Sequence, residues 1–323
     1  MSAPLPLSAN LAARRLRSLR AEAADDTRPH IEQQHIVSKV ILKQFAGPNR
    51  LLHAVSVRHR DAAVVARGPA GMGKITNFVS QASGSAERLW SEVETRIPQA
   101  IKLCESDMLH AYSGDIGVVR DTVALHYIRN RALLKIHRDS YALARQARRA
   151  NAHQLPGYAQ DFERRFGRPP VSAEDHAFFF EMVLGRQFDE DFQSGLLFRH
   201  SVERQFLRSK EWLARHQVQI LHPASGSFLV GDAPVITISK DGRMGPSEGV
   251  ALDGASQVIM PLSPKIVIAF GPQAVGQVPL ETVEELNRYQ VRAANEFVYV
   301  TPGSGLEDFV RLTRFTPTVT RRS

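Results

Sequence analysis

Apolar positions recur along the chain first at helical and then at strand spacing, and the order of the two periods predicts the fold. Val37, Ile41, Leu42 and Phe45 follow a helical rhythm, with Ser38 placed to cap it. Residues 51–57 and 62–66 read as the two strands of a hairpin. Helical patterns then dominate. One starts at the cap Ser85, carries Leu89, Val93 and Ile97 on its apolar face, and is kinked or ended by Pro98. A second runs over residues 113–149, with Leu125, Ile128, Ala132, Ile136, Leu143 and Ala147 in one stripe. A Pro/Gly-containing connector fills 151–170, and a long or broken helix follows over 172–215. From Gln217 the period shortens to two, in runs at 218–221, 228–230, 235–238, 257–260 and 266–270. A helix at 281–296 and a strand at 297–300 complete the pattern.

Strands, helices, strands, helix, strand predict an α+β fold. Its antiparallel sheet is built from N- and C-terminal strands, with a large helical insertion in the middle. The predicted layout is a mobile basic arm over 1–30, a single α+β domain over 31–302 with a helical middle at about 85–215, and a C-terminal tail over 303–323.

Composition narrows the class. Hydrophobic residues make up 43% and charged residues 23% of the 323, enough for a sizeable core. Lys and Arg number 41 against 33 Asp and Glu, a net charge of +8. That excess favours nucleic acid or another polyanion as partner, and an arginine-rich composition explains it equally well. The lone Cys104 excludes an internal disulfide framework and a cysteine-cluster zinc site. It falls on a helix flank as a buried, inert thiol. No run approaches the ~20 apolar residues that span a bilayer. No signal-peptide core is present, so the expected location is cytoplasmic and no membrane partner is expected. The histidines are scattered, and neither H-E-x-x-H nor G-x-S-x-G occurs.

Gly68-Pro69-Ala70-Gly71-Met72-Gly73-Lys74 meets the spacing of a phosphate loop. Ile75 stands where the magnesium-binding Ser or Thr belongs, and the next residues look extended, so no nucleotide is expected there. More chemistry is concentrated elsewhere. The apolar run 227–230 climbs to Gly231-Asp232, and Pro234 restarts an extended segment. Asp232 therefore ends a buried strand, as a turn-former or as the centre of a site. Glu87 and Glu94 are seven apart on one helix side. Arg131, Lys135, Arg138, Arg145 and Arg149 form a cationic face suited to phosphate or simply solvated. Arg129 lies beside the apolar stripe and needs a partner.

Several stretches in order carry a resemblance. They are His35-Ile36-Val37-Ser38 with Leu42 and Phe45, the helical Glu87 and Glu94, and His126-x-x-Arg129. Asp232-Ala233-Pro234-Val235, Leu262-Ser263-Pro264, and Asn287 and Asn295 ahead of Phe297 follow. Over residues 33–302 this resembles a bacterial family catalogued as domain of unknown function 4238. Ser38 stands where that family has Pro, His126 where it has Gln, and Ala233 where it has Asn. The resemblance implies a fold and a set of shared polar residues but no reaction.

Two functions fit those residues. In a metal-dependent nuclease or phosphoryl-transfer enzyme acting on nucleic acid, for instance within a defence system, Glu94 and Asp232 would bind a divalent metal such as Mg or Mn. His35 would move a proton, and Arg129, Arg131, Arg138 and Arg145 would hold phosphate. The alternative is a non-catalytic nucleic-acid-binding or regulatory protein, with Arg129 tied to Asp232 or Glu94 in a buried network. On the first reading Asp232→Asn leaves folding intact and removes activity or metal binding. On the second it destabilises the fold.

Overall fold

The computed structural model describes residues 7–24, 30–80, 83–155, 157–245, 248, 250–272 and 276–316. The fold is α+β. Two compact units divide the described residues. One draws on Met1–Glu32, Val79–Ala86 and Leu134–Arg204, the other on Gln33–Phe78, Glu87–Leu133 and Gln205–Ser323. The helical middle expected at about 85–215 contributes to both units.

The first unit is helical. Aromatic residues recur at helical spacing in Tyr158–Phe166 and Ala173–Phe179, and Tyr158, Phe162, Phe179 and Phe180 pack together around Ala152. Ser172 caps Ala173–Phe179 in a reciprocal capping box with Asp175. The stretch predicted as a mobile arm contains the helix Leu7–Ala24. Leu19 of that helix is fully buried, Arg15 pairs with Glu203 at 2.9 Å, and Arg20 donates to Asp191 at 3.1 Å. Residues 1–6 and 25–29 lie outside the described residues, as do the side chains of Ser85 and Leu89.

The second unit holds the sheets. Its strands are β1 (Gln33–His35), β2 (Leu52–Ser56), β3 (Val65–Arg67), β4 (Lys74–Thr76), β5 (Gln219–Pro223) and β6 (Val230–Gly231). Then come β7 (Ile236–Ile238), β8 (Met244–Gly245), β9 (Gln257–Ser263), β10 (Ile266–Phe270), β11 (Gln277–Val278) and β12 (Phe297–Val300). A six-stranded sheet has the order β11-β5-β10-β9-β7-β8, a four-stranded sheet the order β3-β2-β12-β6, and β1 pairs with β4. Pairing is antiparallel except between β11 and β5. The four-stranded sheet joins N-terminal β2 and β3 to C-terminal β6 and β12, as the periodicity predicts.

Alternation along that sheet decides which side chains reach the site. Val55, Val298 and Val300 join a buried cluster with Leu229, Val291 and Val310. Val310 belongs to the helix Leu306–Phe315, so the stretch expected as a tail completes the core instead. Ala54, Phe297 and Tyr299 alternate with those valines and belong to the opposite face. The long helix expected over 113–149 is broken into Ser113–Ile128, Arg131–Asp139 and Tyr141–Ala150. Asn130 makes the first break: its side-chain oxygen accepts from the Ala132 N–H at 2.9 Å and starts the next helix. No helix among the described residues is long and apolar enough to cross a membrane.

Candidate functional site

Of the residues nominated for chemistry, Glu94 and Arg129 come together, and Asp232 stands in a different setting. The first group is built on the helices Ser83–Glu94 and Ser113–Ile128. Arg129 is 1% exposed. Its guanidinium pairs with Glu94 and lies 4.2 Å from the ring centre of Trp90. Ser38 Oγ donates to Glu94 at 2.7 Å. Burial pulls the Glu94 carboxyl up, but Arg129 and the Ser38 bond outweigh it and leave Glu94 below the ordinary range. Glu87, two helical turns earlier, is raised by burial. Ser38 precedes the helix Lys39–Gln44, but its hydroxyl caps nothing and serves Glu94.

His126 completes this group in a way its neighbours dictate. The ring donates from Nδ1 to the Thr122 carbonyl at 2.8 Å and accepts the Ser38 N–H on Nε2 at 3.1 Å. A second ring proton would face that N–H. Burial first, then Arg129, lowers His126 to about 4. The buried Ser38 N–H, which a proline would lack, thus finds its acceptor in His126. His35 is also lowered to about 4, by burial first and then by Lys74, against the pull of Glu94.

A folded pKa below the unfolded value of about 6.5 gives stability that is present above pH 6.5 and lost as pH falls through the folded value. The urea midpoint should therefore hold from pH 8 to pH 7 and decline between about pH 6.5 and 4. His126→Gln should flatten part of that decline. A midpoint that is level down to pH 4.5 would contradict the assignment.

Asp232 is 2% exposed and neither faces Arg129 nor joins Glu94. Its carboxylate accepts three backbone N–H groups, from Asn295 at 2.7 Å, Glu296 at 2.9 Å and Phe297 at 3.3 Å. Its own N–H donates to the Phe297 carbonyl at 3.0 Å. Burial raises its pKa, and the three N–H bonds oppose the rise. The predicted metal pair Asp232 and Glu94 is not brought together, because each carboxylate already has other donors. Among the described residues no group of three or more His, Cys, Asp or Glu is placed to hold a metal ion. Asn287 and Gln290, which share a helix face three residues apart, also bind backbone. Asn287 bonds Leu229 N–H and the Ser227 carbonyl, each at 3.0 Å, and Gln290 bonds Gly231 N–H and the Pro234 carbonyl. The sequence reading missed Gln290, although its spacing from Asn287 was the available signal.

The predicted cationic face does not form one row. Arg145 pairs with Glu181 at 2.7 Å and Asp189 at 3.0 Å, so its charge is matched. Arg131 pairs with Glu296 at 3.0 Å. Arg138 is exposed. The glycine-rich stretch forms a short 3-10 turn, Pro69–Gly71, and leads into β4, where a phosphate loop would lead into a helix. Three of its N–H groups are engaged: Gly71 and Met72 bond within the turn, and Gly73 donates to the Tyr299 hydroxyl at 3.1 Å. Gly73 has φ +65°, and an added Cβ would sit 2.9 Å from Leu42, so glycine is required there.

That turn walls an open cavity of about 420 Å³. Its floor is the face of the four-stranded sheet that alternates with the valine core. Val65, Ala54 and Tyr299 lie side by side in register across β3, β2 and β12. Arg67 and Lys74 face the cavity beside Arg131, Glu296 and Asp232. Among the described residues neither Arg67 nor Lys74 has an ion-pair partner, whereas Glu296 has two, Arg131 and, at 3.7 Å, Arg58. Residues from both the turn and the sheet meet here only through the fold.

Fold and site together define an α+β protein with a carboxylate-tied strand junction and a buried Arg–Glu–Ser–His network. The chain belongs to the family described as Protein of unknown function (DUF4238), whose model matches residues 33–304. No curated protein and no solved structure matches the chain.

Proposed function

We propose that the protein binds nucleic acid without cleaving it. One contrast carries this reading. Three of the residues nominated for chemistry serve the scaffold: Glu94 and Arg129 pair with each other, and Asp232 holds backbone. Two cations without an acidic partner among the described residues, Arg67 and Lys74, stand at an open cavity. A net charge of +8 supports an anionic partner, with binding governed by counterion release. The test is fluorescence anisotropy with labelled single- and double-stranded DNA and RNA across a salt series, followed by denaturing gels of the same mixtures with Mg²⁺ or Mn²⁺. Affinity should fall linearly on logarithmic axes as salt rises, and the strands should stay intact. Absence of binding at low salt would overturn the reading.

One observation favours the nuclease instead. His35 Nε2 and Glu87 Oε1 are buried without a hydrogen-bond partner. Unpaired groups of an acid and a base near a cationic side chain are what hydrolysis uses. Metal-dependent cleavage that His35→Ala and Glu87→Gln both abolish would establish that reading.

A further inference from the structure

We propose that the cavity over the β3-β2-β12 face is a binding site for a phosphate monoester. The proposal rests on the anion-binding reading above and narrows it to one chemistry. Arg67 lies two residues from Val65 on the same face of β3, so sheet alternation places both toward the cavity. Lys74 opens β4 directly after the Gly73 turn that Tyr299 holds. These two cations have no acidic partner among the described residues, while Arg131 is neutralised by Glu296 at 3.0 Å. A monoester carries a charge of about −1.5 to −2 at neutral pH and matches two unpaired cations. A carboxylate or a diester brings only one charge. Ala54, Val65 and Phe297 give the cavity an apolar wall for whatever the phosphate is attached to. At about 420 Å³ the space is within the range of small-ligand pockets. Lys74 acts here as a cation on a sheet face, with no part for the Gly71, Met72 and Gly73 N–H groups, which are already bonded.

The monoester could come from a free small molecule or from the 5′-phosphate end of a nucleic-acid strand. The experiment titrates the full chain with phenyl phosphate, with phenol, and with one short oligonucleotide bearing either a 5′-phosphate or a 5′-hydroxyl. Each titration is repeated on the double variant Arg67→Ala/Lys74→Ala. Both side chains are at least partly exposed, and the variant's melting temperature checks that it folds. Phenyl phosphate should bind where phenol does not, and the double variant should lose about tenfold or more in affinity. Preference for the 5′-phosphate strand assigns a nucleic-acid end as the source. Equal binding of the two strands, with phenyl phosphate still bound, assigns a free monoester. The proposal is overturned if phenyl phosphate fails to bind, or binds the double variant as well as the unaltered chain. If oligonucleotides bind while phenyl phosphate does not, the cavity proposal falls and the nucleic-acid reading stands. If phenyl phosphate binds while neither oligonucleotide does at low salt, the reverse holds.

Discussion

Arg129→Ala should be among the most damaging single changes in this chain, at about 3–5 kcal/mol, the usual cost of removing one partner of a buried ion pair. Three effects add in the same direction. Glu94 loses the cation that holds its pKa down, Trp90 loses a guanidinium 4.2 Å from its ring, and a void opens at a site that is 1% exposed. Glu94 remains 23% exposed and regains some water, which places the loss toward the lower end. Arg129→Lys should not restore stability, because an ammonium cannot both lie flat on Trp90 and pair with Glu94. Glu94→Gln should cost less, since its amide oxygen still accepts from Ser38 and Arg129. Arg138→Ala, an exposed cation, should stay within about 0.5 kcal/mol. Urea unfolding of the four variants measures this order. An Arg129→Ala protein as stable as Arg138→Ala would show that the network contributes nothing to the fold.

What could be read from the residues was what depends on local spacing. The period-two runs marked the hairpin β2–β3 and the late strands, and the apolar stripes marked most helices. Arg129 was legible as a buried cation needing a partner, because it follows Ile128 in an apolar stripe. Its partner was one of two named carboxylates, and only the three-dimensional packing of two helices selects Glu94. The break at Asn130 was hidden, since neither glycine nor proline announces it and the cap is a side chain inside a helical pattern. The cavity was hidden for a deeper reason. Val65, Ala54 and Tyr299 are neighbours only through strand register, which no local pattern encodes. Lys74 was noticed as part of a failed phosphate loop, although its surroundings are set by β12, more than two hundred residues away. The helices Leu7–Ala24 and Leu306–Phe315 fall in stretches read as an arm and a tail, and helices draw much of their stability from packing, which local periodicity does not report.

Asp232→Ala should lower stability by roughly 3 kcal/mol, about 1 kcal/mol for each backbone N–H that loses its acceptor. The three N–H groups are half-buried, so water repairs part of each loss, and the lower end of the usual range applies. At about 2–4 °C per kcal/mol for a unit of this size, the melting temperature should fall by roughly 6–12 °C. The donors lie 63 to 65 residues further along the chain and carry no side-chain signature. The carboxylate therefore looks, from the residues alone, like a free acid at a strand end. Asp232→Asn keeps one oxygen and turns an amide N–H toward a backbone N–H, so it should fall between the unaltered chain and alanine. Magnesium or manganese should change none of the three melting curves, because the carboxylate oxygens are already engaged. The two readings of Asp232 then separate cleanly. If Asp232→Asn melts with the unaltered chain, and metal raises the melting temperature of the unaltered chain alone, Asp232 is a ligand and its three N–H bonds are incidental. If both variants melt lower in the order given, indifferent to metal, the residue fastens the turn at Asn295–Phe297 to the strand it ends. That fastening sets where Glu296 meets Arg131 at the edge of the cavity.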